Sequence, residues 1–265
     1  MFTMSEQLPP NKTRKQIIWE NVVSLAVALF VVLIIRSSIV EAFRIPSGSM
    51  IPTLLVGDHI FVNKFAYGFK LPFSDLKIPF TDMGLEKPII LIGRDGPKHG
   101  DIIVFEYPRD PSLYYIKRVV GTAGDVIEIK NKVLTINGKL ISQSPAEQPM
   151  TDKVFQQLED DPKYSKEYLD VLREKLADDA TSPGHLMMLD KNSLLDESRG
   201  PITVPADSLF VMGDNRDYSN DSRFWGFVPL KNVKGRAMVI WLSMWISFSD
   251  SQFVFRPTRS GTILH

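Results

Sequence analysis

The chain has 265 residues, enough for one good-sized domain or two small ones with attached elements. Its 31 basic and 31 acidic residues cancel, so no overall field draws nucleic acid or acidic substrates. There is no cysteine, which excludes disulfides, thiol catalysis and thiolate metal sites. The four histidines, His59, His99, His185 and His265, include no pair at the spacing of a helical metal site. No metal, cofactor or nucleic-acid partner is expected.

In chain order, the first feature is an apolar run, Gln16 to Ile35, nearly unbroken from Val22 onward. Twenty helical residues rise about 30 Å, the thickness of a bilayer hydrocarbon core. A run of Val, Leu, Ile and Phe with no polar face has no side to give to water, which argues against a buried soluble helix. A cleaved leader is the sharper rival, because Lys12, Arg14 and Lys15 precede the run. Its apolar core is too long for that, and Arg36-Ser-Ser-Ile-Val-Glu41 offers no small-x-small cut. The expectation is an uncleaved anchor over 17–36 in contact with membrane lipid, with Trp19, Glu20 and Asn21 near its boundary. The basic cluster before it, against a lone Arg36 after it, predicts residues 1–16 in the cytoplasm and everything from about residue 40 outside.

Short runs rich in Val, Ile, Phe and Tyr follow: His59–Phe65, Asp101–Tyr107, Tyr114–Val120, Asp125–Lys130, Val133–Ile136, Leu140–Ile141, Ser208–Met212 and Ala237–Trp245. Asn137-Gly138 between two of them predicts a type I′ hairpin turn. No helix alternates with these runs, so a mainly β, antiparallel core is expected over 40–142 and 207–258. Four Gly-Asp dipeptides read as turns leading into strands. Between the two halves of the core, 143–206 reads as a polar insertion. Tyr168, Leu169, Leu172 and Leu176 predict one amphipathic helix there, on a solvated elaboration without a site. The apolar stretch Ala237–Phe248 is too short for a second span, so it reads as a core strand from which Trp245 and Phe248 could graze the bilayer interface.

Three constellations carry candidate chemistry. In Arg44-Ile45-Pro46-Ser47-Gly48-Ser49-Met50-Ile51-Pro52-Thr53-Leu54, two serines flank a glycine between prolines that stiffen both approaches. Such a turn can present one hydroxyl for attack, and another with a backbone N–H to an oxyanion, although Ser-Gly-Ser is common in ordinary loops. In Tyr114-Tyr115-Ile116-Lys117-Arg118-Val119-Val120-Gly121, strand alternation sends Lys117 and Arg118 to opposite faces, so one cation must lie among apolar neighbours. A desolvated lysine loses proton affinity and can act as a base toward a serine. The third stretch, Gly213 to Phe227, is a dense polar loop. Its structural use is an Asp–Arg scaffold, with Asp221 or Asp217 facing Arg223 or Arg216, and its functional use is a hydroxyl that orients the lysine. A calcium loop is disfavoured by the missing bidentate Glu and by two arginines.

The order of these blocks, IPSGSMIPTLLVGD, GDIIVFEYP, YIKRVVGTAGD and GDNRDYSNDSRFWGFVP, resembles bacterial type I signal peptidases over about 12–142 and 207–245. The resemblance implies Ser49 as nucleophile and Lys117 as general base. It implies Ser47 beside the Ser49 N–H in an oxyanion hole, Ser219 orienting the Lys117 amine, and Asp221 and Arg223 in support. It further implies small pockets lined by Phe43, Ile45, Met50, Leu54, Ile60, Val104, Tyr115 and Ile116. These would read the small-x-small end of an exported preprotein's signal peptide at the outer face of the bacterial cytoplasmic membrane. Gram-negative members of the family often have two N-terminal spans, whereas one is legible here.

Three other readings compete. A His-based hydrolase would use His59, beside Asp58 and near Ser49, yet GDHIFVN alternates as a strand with His59 at its entrance. A non-enzymatic anchored β-domain gives no reason for a lysine among apolar residues. A peptidase dedicated to one exported substrate, of pilin or conjugation type, would use the same residues.

Overall fold

The computed structural model describes residues 13–70, 90–93, 95–159, 162–176, 184–194, 198–247 and 252–264. A 25-residue helix, Arg14–Ser38, opens it. Its stretch Arg14–Val32 is long and apolar enough to cross a membrane, and none of it is buried against the rest of the chain. Trp19 and Leu25 stand about 70% exposed there.

Among the described residues nine strands form the main sheet, β1 to β9 in chain order: Val40–Arg44, Asp58–Asn63, Ile102–Tyr107, Asp110–Gly121, Ser208–Met212, Val228–Pro229, Val233–Ser247, Gln252–Phe255 and Thr262–Ile263. The spatial order is β1-β2-β7-β3-β4-β5-β6, with β8 and β9 also paired to β7, and every pairing is antiparallel. The expected β-core is present, and Ala237–Trp245 lies inside β7 as the strand its length implied.

Both faces of the middle strands are covered, which explains their near-continuous apolar runs. Ile102, Val104 and Ile116 pack with Met50, Leu54, Ile60 and Val62 on one side. Ile103, Phe105 and Val119 pack with Val211, Trp225 and Val228 on the other. Each such side chain, fully buried, contributes roughly 1.5–3 kcal/mol before entropy is counted.

Three of the four Gly-Asp pairs share one device. Asp58, Asp101 and Asp125 each open or immediately precede a strand, and each carboxylate accepts the backbone N–H three residues earlier: Leu55, Lys98 and Thr122. Gly213-Asp214 differs from the expectation, because it follows β5 and its carboxylate serves a long-range ion pair instead. The Asn137-Gly138 turn is as expected, with both residues at positive φ between Val133–Ile136 and Lys139–Leu140.

The insertion departs from the sequence reading. Leu169–Lys175 is a strand, not a helix, flanked by Ser142–Pro145 and His185–Asp190 in a three-stranded sheet. The spacing of Leu169, Leu172 and Leu176 misled, since the residues driven inward from this strand are Leu169, Val171 and Glu174, a mainly two-residue repeat. The helix of this segment lies earlier, at Gln148–Gln157, and buries Val154 and Phe155. Nor is the segment a solvated elaboration. Its Val154, Phe155, Leu158, Leu169, Val171 and Met188 share a cluster with Ile51 and Leu55, two residues just past Ser49.

Candidate active site

The turn that carries Ser49 is an excursion from the β1–β2 hairpin. Backbone bonds Ile45 N–H to Asp58 O and Gly57 N–H to Ile45 O close its base at 2.8 and 2.9 Å. Within it, Gly48–Met50 makes one 3-10 turn that buries Ser49 and Met50. Gly48 has no room for a side chain: a Cβ there would meet the Tyr164 hydroxyl at 2.5 Å and Ile51 Cδ1 at 2.9 Å. The space beside this glycine is taken by Tyr164 of the insertion.

Lys117 lies on β4, and its Nζ sits 2.6 Å from Ser49 Oγ and 3.0 Å from the Ile116 carbonyl. The Tyr115 ring stands 5.5 Å away. Only 4% of Lys117 is exposed, and no carboxylate among the described residues reaches ion-pair distance. Burial pushes its pKa down from 10.5 to about 8; the more distant Asp221 and Asp214 charges hold it up, and Arg223 lowers it further. About a tenth of the amines are then neutral at pH 7. The 2.6 Å contact is the geometry in which a neutral amine accepts the hydroxyl proton. The neighbouring Arg118, on the opposite strand face, is buried too, but its guanidinium makes two 2.8 Å bonds to the Asp214 carboxylate. Of the two adjacent cations, the lysine is left without a partner charge.

The polar loop after β5 is satisfied partly from within and partly by residues outside it. Asp221 accepts from Arg223 Nε and Nη2 at 2.8 Å, from Gly213 N–H at 2.9 Å and from Ser219 Oγ at 2.7 Å. Burial alone would raise the Asp221 carboxyl, but the Arg223 charge and these donors hold it below the usual carboxylate range. The Asp221–Arg223 pair was one of the expected alternatives, while Asp217 pairs with Lys132 and Arg216 with Glu174. Ser219 departs from its expected role. Its hydroxyl donates to Asp221, a charged acceptor, and Lys117 Nζ bonds to Ser49 Oγ and the Ile116 carbonyl instead.

Ser47 is exposed two residues before Ser49, with extended backbone. Of the eight expected pocket residues, Ile45, Met50, Leu54, Ile60, Val104 and Ile116 fall in one core cluster with Phe43 against it. Met50, Leu54 and Ile60 have no exposed surface, because they fill the sheet's interior, so they back the site rather than face solvent. Phe43 and Tyr115 are half-buried, and Ile116 keeps a narrow exposed edge. His59 faces the Gly57 carbonyl and the Trp241 ring, which removes it as a partner for Ser49.

Residues 18–243 match the family described as signal peptidase, peptidase S26. The chain belongs to that family. Its relatives include the signal peptidase I of Pseudomonas aeruginosa, 40% identical over 228 residues, which are 81% of this chain and 69% of that one. Signal peptidase I of Buchnera aphidicola (subspecies Schizaphis graminum) is 36% identical, with 94% and 83% covered. The Aquifex aeolicus signal peptidase I is 35% identical, with 84% of each chain covered. Membership makes this chain a serine endopeptidase that processes signal peptides and sets aside the non-enzymatic alternative. Sequence reasoning missed Asp214, Arg118, Thr53, Glu174 and Asn215 around the site. A usable signal was the adjacency of Arg118 to Lys117, since a strand that buries both of its faces must also pair the second cation.

Proposed function

We propose that this signal peptidase cuts with Ser49 as nucleophile and Lys117 as general base, after the small-x-small end of a signal peptide. The observation that carries the reading is the 2.6 Å contact between Lys117 Nζ and Ser49 Oγ inside a buried site. The neutral amine takes the Ser49 proton as Oγ attacks the scissile carbonyl, and the ammonium then protonates the leaving amine. Water, activated by the same lysine, hydrolyses the acyl-enzyme. The Ser49 N–H and the Ser47 hydroxyl face the developing oxyanion. Asp221 and Arg223 hold the loop behind Lys117, and Ser219 acts through Asp221. Phe43, Tyr115 and Ile116 leave space for Ala or Gly before the cut, with Ile45, Met50, Leu54, Ile60 and Val104 fixing the wall behind them.

The helix Arg14–Ser38 anchors the enzyme in the bacterial cytoplasmic membrane, N-terminus inside and sheet outside, where signal peptides of exported preproteins emerge. Exposed Trp241, Ile246, Phe253 and Phe255 extend the lipid-facing surface; Trp245 is half-buried under the Arg44 guanidinium, and Phe248 lies outside the described residues. The deciding variant is Lys117→Arg, which keeps a cation that cannot deprotonate. Turnover of a small-x-small precursor should fall by at least roughly 10²–10⁴-fold, as it should for Lys117→Met. Near-normal processing by the Arg variant would end the proposal.

A further inference from the structure

The insertion supplies two buried ionisable side chains that the chemistry above does not use. Glu174 and His185 stand directly opposite each other on adjacent strands, Glu174 without exposed surface and the His185 side chain 8% exposed. Glu174 takes both ends of the Arg216 guanidinium and a 3.0 Å bond from Gln143. His185 Nε2 lies 3.4 Å from the Glu174 carboxylate and 3.7 Å from that of Asp214. Asp214 in turn holds Arg118, next to Lys117, and accepts from the Thr53 hydroxyl on the turn that carries Ser49. The backbone repeats the connection. Met188 N–H, on the His185 strand, bonds to Asp214 O at 2.8 Å, and Asn215 bonds through its backbone N–H to Ser49 O and through Nδ2 to Gly48 O at 3.1 and 2.9 Å.

Thus one unbroken set of contacts runs from the insertion to both segments whose side chains meet at 2.6 Å. Buried ion pairs are poor stabilisers compared with apolar residues of the same shape, so this cluster is better explained by the geometry it imposes than by the stability it adds. We propose that Glu174 and His185 are positioning residues for the Ser49–Lys117 pair, acting through Arg216, Asp214 and Asn215, so that the insertion is a working part of the active site. The inference rests on the Ser49–Lys117 reading above.

The test uses the full-length enzyme in detergent with a small-x-small precursor, comparing wild type with Glu174→Gln, His185→Asn and the double variant Glu174→Leu/Arg216→Met. In the folded single variants kcat should fall by roughly 10–10²-fold, the loss a displacement of about 1 Å produces. KM should stay within about twofold, since the peptide-facing surface is untouched. The rising limb of rate against pH should also move to lower pH in Glu174→Gln, because a negative charge is lost from the cluster whose Asp214 holds the Lys117 proton on. A loss of stability alone would not move that limb. Removing both charges should recover the unfolding temperature but not kcat, which separates positioning from folding. Unchanged kcat in folded Glu174→Gln and His185→Asn, or a double variant that recovers kcat together with stability, would overturn the inference. If Lys117→Arg were active, the dyad reading itself would fail; if it is inactive while the insertion variants turn over normally, only this inference does.

Discussion

Lys117→Met should make the enzyme inactive and, at neutral pH, more stable. The reasoning begins with the lysine's proton affinity, which falls from 10.5 in the unfolded chain to about 8 in the buried site. Between pH 8 and 10.5 the folded chain therefore binds fewer protons than the unfolded one, and stability rises with pH across that window. Below pH 8 the full penalty is present, about 3 kcal/mol at roughly 1.36 kcal/mol per pH unit. Methionine has similar reach, carries no charge and escapes this penalty, but it gives up the hydrogen bonds to Ser49 and the Ile116 carbonyl, about 1 kcal/mol each. The net expectation at pH 7 is a gain of about 1 kcal/mol, or about 2–4 °C in unfolding midpoint for a domain of this size. Above pH 10.5 the penalty is gone and wild type should lead by about 2 kcal/mol. Denaturant unfolding in detergent at half-unit steps from pH 7 to 11 reads both the sign and the crossing. A Met variant no more stable at pH 7, with a difference that stays flat to pH 11, would show that the folded site does not depress the lysine.

Two further outcomes are expected. Gly213→Ala would place a Cβ against the Ser49 carbonyl and Ser219 Oγ, so it should cost about 1–3 kcal/mol of stability and up to roughly 10²-fold in turnover; a folded variant with normal kcat would contradict the packing. In spheroplasts, added protease should digest the sheet domain while the tag on an N-terminally tagged enzyme stays protected; protection of residues 60–245 would reverse the assigned orientation.

Strand content, the apolar N-terminal helix and the hairpin turn were legible because each depends on local pattern: alternation, an all-round apolar run, and Asn-Gly between strands. The Ser49–Lys117 pair was legible only through motif order, since nothing local shows that positions 68 residues apart meet. Strand alternation showed that Lys117 and Arg118 part company, but not that the sheet is covered on both faces and buries each. That outcome depends on β5 and the loop after it packing over β4, a contact of high sequence separation.

The insertion was misread for the same reason in reverse. A segment with many charges looks solvated when its charges are counted singly, and Glu174 and Arg216 are ordinary surface residues by type. Their burial becomes affordable only as a set, when carboxylates and guanidiniums from three segments close on one another and leave little charge uncompensated. Pairing of that kind is invisible to periodicity, because it is decided by which loops meet. The same pairing accounts for the state of Lys117. Among the described residues, every other buried cation around Ser49 is matched to a carboxylate, so the desolvation that remains falls on the Lys117 amine.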